Sequence, residues 1–196
     1  MTAFSHSGAT TAATTRATTA TAARAEAGAT ALAVLRITTG FVFLWAFLDM
    51  TFGLGYATKD AGAWINGASP TKGFLGHVAV GPFESTFHAM AGAWWADWLF
   101  MLGLAGIGLA VVAGVGLRLA AAAGTLMMLL MWAAEWPLAQ FTSTGEPSTS
   151  TNPIIDYHIV YAIALIAVAV AGAGATRGLS RRWATLPIVR DHAWLR

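Results

Sequence analysis

Four apolar stretches, each of about twenty residues, constrain this chain more than any other feature. They run roughly over 31–54 (ALAVLRITTGFVFLWAFLDMTFGL), 96–116, 117–138 and 153–175. A helix rises ~1.5 Å per residue and a bilayer core is ~30 Å thick, so each stretch can cross once. None alternates polar and apolar residues as a membrane-barrel strand would, and a helix satisfies its own backbone in hydrocarbon. The chain is 57% hydrophobic and 10% charged, against about 25% charged in soluble domains. The expected fold class is therefore an all-α integral membrane protein, a single-domain four-transmembrane-helix bundle over 31–175.

The flanking segments set the orientation. Residues 1–30 are rich in Thr and Ala, with Arg16, Arg24 and Glu26. They hold no apolar run of the kind a secretory signal needs. Their composition is similar to that of an organellar transit peptide, but the reading adopted is a disordered tail. Arg16, Arg24, Arg36, Arg118, Arg177, Arg181, Arg182, Arg190 and Arg196 all fall at one end of the spans. The opposite end has Lys59 and Lys72, and the 139–152 loop has no Lys or Arg. The positive-inside rule then places both termini in the cytoplasm, with 176–196 as a basic tail under the plasma membrane.

Punctuation within the domain is also legible. Asn152-Pro153 predicts the start of the fourth helix, and Pro137 the close of the third. Small residues at fourfold spacing, Gly106, Ala110 and Gly114, then Ala120 and Gly124, predict close helix approach. The outer loop of about 55–95 carries Trp64, Phe74, Phe83, Phe87, Trp94 and Trp95. It is expected to fold in part, as a short interfacial helix or a cap over the bundle mouth.

Helical rise locates the ionisable groups. Asp97 to Arg118 spans ~31 Å, Arg118 to Glu135 ~26 Å and Asp156 to Arg177 ~31 Å. These acids therefore reach the outer boundary when the arginines reach the inner one. Arg36 to Asp49 is only ~20 Å, and arginine snorkels where aspartate cannot, so Asp49 is the deepest acid. An intramembrane acid costs several kcal/mol unless paired or wet, which makes it a functional candidate. Asp97 and Asp156 are also explained as first-turn charges that favour the helix dipole. Glu135 lies between Trp132 and Trp136, and His158 shares a helix face with Tyr161 three residues on. An imidazole beside carboxylates at a bundle mouth suits proton transfer.

The absence of cysteine excludes disulfides, thiolate metal sites, iron–sulfur clusters and covalent haem of the c type. Redox chemistry would then need a non-covalently bound cofactor, a quinone or a second subunit. His77, His88 and His158 have no metal-ligand spacing, so no metal site is expected. No phosphate-binding loop, nucleophile triad or basic–aromatic surface points to nucleotides or nucleic acid.

The run Leu35-Arg36-Ile37-Thr38-Thr39-Gly40-Phe41-Val42-Phe43-Leu44-Trp45-Ala46-Phe47-Leu48-Asp49 resembles the opening helix of the DoxX/DoxD family of small membrane proteins. GAWWADWLFMLGLAGIGLA and NPIIDYHIVYA are similar to later runs of actinobacterial members described as thiosulfate dehydrogenase (quinone) large subunits. The resemblance covers about 31–175. One departure is Met50, which follows Asp49 where the family motif usually has lysine. The resemblance implies a four-helix bundle that passes electrons from thiosulfate to a membrane quinone, working with a second redox subunit. In that reading a quinone head enters from the outer leaflet, and oligomers are compatible with it. Asp49 relays protons, His158 donates to a quinone oxygen, Asp156 orients His158 and Glu135 supports them. Arg36, Trp45 and Tyr161 are the cofactor-binding positions, and Lys59 and Lys72 attract the sulfur substrate. The alternative is a non-catalytic scaffold that anchors a redox or stress-response partner.

Overall fold

The computed structural model describes residues 7–195. Four long helices dominate: α1 (Ser7–Phe52), α4 (Trp94–Ala113), α5 (Leu117–Glu135) and α6 (Tyr157–Val170). Two short helices, α2 (Pro70–Gly76) and α3 (Glu84–Met90), lie in the outer loop. Two more, α7 (Ser180–Trp183) and α8 (Pro187–Asp191), follow the bundle. The long helices form a closed ring in which α1 packs on α4 and α6, and α5 packs on the same two. The only β feature among the described residues is an isolated antiparallel bridge between Phe141 and Pro147.

Three segments are long and apolar enough to cross a membrane: Thr18–Phe52, Trp94–Ala113 and Leu117–Glu135. Their outer faces are apolar too, with Val34, Phe41, Leu102, Leu109 and Leu126 exposed. A helix that is apolar all round belongs in a large core or in lipid. The interior is mostly apolar but also holds charged and polar side chains. Arg36, Thr39, Asp49, Asp97 and His158 are buried in the same interior as Phe43, Met101 and Leu165.

Three expectations are corrected here. The segment read as a disordered tail is helical from Ser7, while residues 1–6 lie outside the described residues. Alanine is the strongest helix former, and once the apolar part of α1 supplies the nucleus each added residue contributes a hydrogen bond. The fourth helix is the second correction: it spans fourteen residues, Tyr157–Val170, rather than 153–175. The Asn152 side chain accepts from the Ile154 and Ile155 amides and closes a turn of its own. The helix begins only after Asp156, whose carboxylate accepts from the His158 and Ile159 amides. At its far end Gly172 takes a left-handed conformation (φ 62°) and stops it. The outer loop meets expectation, since α2 and α3 fold within it.

The third correction concerns close approach of α1 and α4, which comes from other glycines than the predicted Gly106–Gly114 stripe. A Cβ on Gly40 would lie 2.7 Å from the Val112 backbone nitrogen, and one on Gly108 would lie 2.7 Å from that of Leu44. These two positions set the α1–α4 crossing. Gly106 faces open space instead, and Gly114 is the αL cap of α4. Gly124 acts as expected, since a Cβ there would strike Leu165 of α6.

Gly108→Val should separate α1 from α4 and cost about 1–3 kcal/mol. Gly106→Ala should leave stability unchanged or slightly raised. Thermal unfolding of both variants in detergent checks the contrast.

Candidate functional site

Two of the five outer acidic and histidine groups hold down the cap. Asp49, at the end of α1, is 2% exposed. Its Oδ1 accepts from the Tyr56 amide (3.3 Å), and its Oδ2 from those of Ala57 (3.0 Å) and Thr58 (2.8 Å). Gly53, with φ 63°, makes the turn that folds residues 56–58 back over the carboxylate; a Cβ there would lie 2.7 Å from Asp60 Cα. Three amide donors occupy both of its oxygens. The carboxylate expected to relay protons thus anchors the loop at residues 56–58. Asp97, on α4, works the same way, with Oδ1 accepting from Ser69 Oγ (2.8 Å), the Thr71 amide (2.9 Å) and Thr71 Oγ1 (2.6 Å). Ser69 Oγ in turn caps α2 by accepting from the Lys72 amide.

Arg36 lies at the other end of the bundle. It is fully buried, and one guanidinium nitrogen donates to the Arg177 carbonyl (2.9 Å). Gly114 and Gly178 form its cradle, for a Cβ on either would overlap the guanidinium. Arg177 reaches it by adopting a left-handed φ of 51°. The α4 C-terminus, with its negative dipole end, lies alongside at Ala113–Gly114. Arg36 thus pins the segment after α6 to the bundle. Its partner Arg177 follows the far end of α6, whereas His158 lies in that helix's first turn.

The remaining three groups converge. Asp156 stands at the N-cap of α6 with His158 in its first turn, and Glu135 ends α5. His158 Nδ1 is 2.9 Å from Asp156 Oδ2 and 4.0 Å from Glu135 Oε2. The Tyr157 hydroxyl donates to Glu135 Oε1 (2.7 Å), and the Tyr157 ring lies 4.0 Å from the imidazole. The side chains grade inward from water, with Glu135 38% exposed, Asp156 15% and His158 0%. His158 Nε2 is buried with no hydrogen-bond partner. An imidazole held at one nitrogen and vacant at the other, at the dry end of a carboxylate series, can exchange a hydrogen bond or a proton with a guest.

The other expected positions sit around this centre rather than in it. Tyr161 packs on the core one turn below and edge-on to Tyr157. Trp45 stacks edge-on with Tyr56 and tilted against Phe41, on the flank of α1. His77 and His88 bond to the Gly73 and Val78 carbonyls within the cap. Tyr157 is the functional neighbour that sequence reasoning missed. Its signal was available, because it separates two residues already singled out, but its partner Glu135 is twenty-two positions away. The Glu135–Asp156–His158 grouping also offers three ligand atoms within 4.8 Å of one another. Histidine spacing along the chain could not reveal that grouping. Trp136, directly after Glu135, holds φ 43°, a conformation that costs a non-glycine residue about 1–2 kcal/mol. Such strain beside an ionisable cluster is characteristic of functional sites.

Compared with protein-family models, with curated proteins and with solved structures, this chain matches none.

Asp49→Asn should raise amide exchange at Tyr56, Ala57 and Thr58 and cost about 1–3 kcal/mol, since one strong acceptor is lost. Exchange at the start of α6 should be unaltered. Hydrogen–deuterium exchange by mass spectrometry reads both regions in one experiment.

Proposed function

We propose that this protein is a redox-linked subunit of the plasma membrane, in which His158 receives the head group of a quinone at the outer face. The observation that carries the reading is the fully buried His158, bonded through Nδ1 to Asp156 and without a partner at Nε2. An unpartnered buried polar atom calls for an occupant of complementary polarity, and a quinone oxygen supplies one. Asp156 fixes the ring, while Glu135 and Tyr157 link that end of the bundle to water. In this topology the four long helices cross the bilayer, with α6 completed by the 3-10 turn Ala173–Ala175. The arginine-rich end, including both termini, then faces the cytoplasm.

The donor follows from the DoxX/DoxD resemblance. Two thiosulfate ions joined by a new S–S bond release two electrons, which with two protons convert quinone to quinol. The chain's own residues hold the guest, exclude water and bring protons to Nε2; a second redox subunit would carry the sulfur chemistry. A second reading has one observation behind it. Asp49 and Asp97 rigidify a cap that exposes Tyr56, Trp94 and Trp95, as a docking scaffold would.

Proteoliposomes loaded with quinone and given thiosulfate, with any co-purifying subunit retained, should form quinol. His158→Gln should lower the rate by about 100-fold, and Asp49→Asn should leave it within about twofold in protein that remains folded. Equal rates for wild type and His158→Gln would remove the site. A stable partner isolated in mild detergent, with no quinone turnover, would favour the scaffold.

A further inference from the structure

We propose that Glu135, Asp156 and His158 form a binding site for a divalent cation of the zinc class. The proposal does not depend on a quinone. Its ligand atoms are Glu135 Oε2, Asp156 Oδ2 and His158 Nδ1, which lie within 4.8 Å of one another. A tetrahedral zinc centre with bonds of about 2.0–2.1 Å separates its ligand atoms by about 3.4 Å. The separations from Nδ1, 2.9 and 4.0 Å, fall on either side of that figure. A shift of about half an ångström in each carboxylate oxygen would bring both to that distance from Nδ1.

The outer ring of partners is already in place. Glu135 keeps Oε1 on the Tyr157 hydroxyl, and Asp156 keeps Oδ1 on the His158 and Ile159 amides. Each carboxylate is therefore held at one oxygen and turns the other toward the imidazole. Partners of this kind orient ligands in metal centres and tune their basicity. Asp156 sits on the helix N-cap, so its placement is as rigid as the helix start. Two carboxylates and one neutral imidazole also balance the charge of a divalent ion, and the adjoining 139–152 loop has no Lys or Arg to compete.

His158 itself has no exposed surface, and its second ring nitrogen, Nε2, has no partner. A cation on Nδ1 replaces the proton shared with Asp156 and requires the ring's own proton to sit on Nε2. The interior-facing nitrogen then becomes a fixed hydrogen-bond donor. Three protein ligands leave a fourth position open, as in zinc sites that bind water or substrate. Glu135, the most exposed of the three, gives the entry path from the outer aqueous phase.

The test uses full-length protein in detergent, stripped with chelator and equilibrated by dialysis against zinc chloride alone. One zinc per chain is expected. Glu135→Gln, a half-exposed position where folding is not at stake, and His158→Gln should each weaken binding at least tenfold. Cobalt(II) in place of zinc should give the intense visible bands of a four-coordinate site, lost in both variants. Substoichiometric zinc in the wild type, or equal affinity in wild type and Glu135→Gln, would overturn the proposal. Because the dialysis contains no quinone or thiosulfate, zinc binding without quinol formation removes only the function proposed above. Quinol formation by protein that binds no zinc removes only the cation site.

Discussion

A polar group buried inside the helical bundle has only the chain itself to bond with, and the placement of the connecting loops follows from that constraint. Asp49, Asp97 and Asp156 each take two or three N–H or O–H donors, and in doing so fix the cap, the start of α2 and the start of α6. Side-chain polar atoms left buried and unpartnered among the described residues are few: Arg36 Nε and Nη1, Thr125 Oγ1 and His158 Nε2. Arg36 rests against the carbonyl end of α4, where the helix dipole offsets its charge. Thr125 stands alone within α5. Only His158 combines a vacant atom with ionisable neighbours, which is why the functional reading centres there.

The same constraint shows why the acids, alike in sequence, differ in use. Each ends or begins a helix near the outer boundary, and each could have been a relay. What separates them is what folds over them. Asp49 is followed by a glycine turn that returns three amides to it, and Asp97 meets the Ser69–Thr71 turn. Glu135 and Asp156 meet each other's helices and an imidazole instead.

Much of the fold was legible in the sequence. Apolar length located the long helices, and Pro137 marked the end of α5 to within two residues. Fine boundaries were less so. Asn152-Pro153 has the form of a helix start, yet two side-chain turns compete there and the later one, at Asp156, carries the helix. The Thr/Ala segment read as disordered because it has nothing to bury. Over 18–28 the side chains are exposed, so there the helix is propagated from a neighbour. For the site, Asp156 and His158 were readable as a local pair, whereas Glu135's approach and Tyr157's bond depend on the α5–α6 contact. Arg36 and Trp45 shared a motif with Asp49, but adjacency within a motif along one helix does not bring side chains to one end of a bundle.

Asp156 serves two structures with one carboxylate, and that has a consequence for biosynthesis. Its Oδ1 starts α6 and its Oδ2 holds the imidazole, while Glu135 arrives from the preceding long helix. In a chain made from its N-terminus, the acid of α5 is delivered first and waits alone. The centre comes together only when the last long helix has turned back and been capped. A chain that lacks a folded α6 therefore carries the pieces but no assembled cluster, and the grouping forms only when the fold is complete.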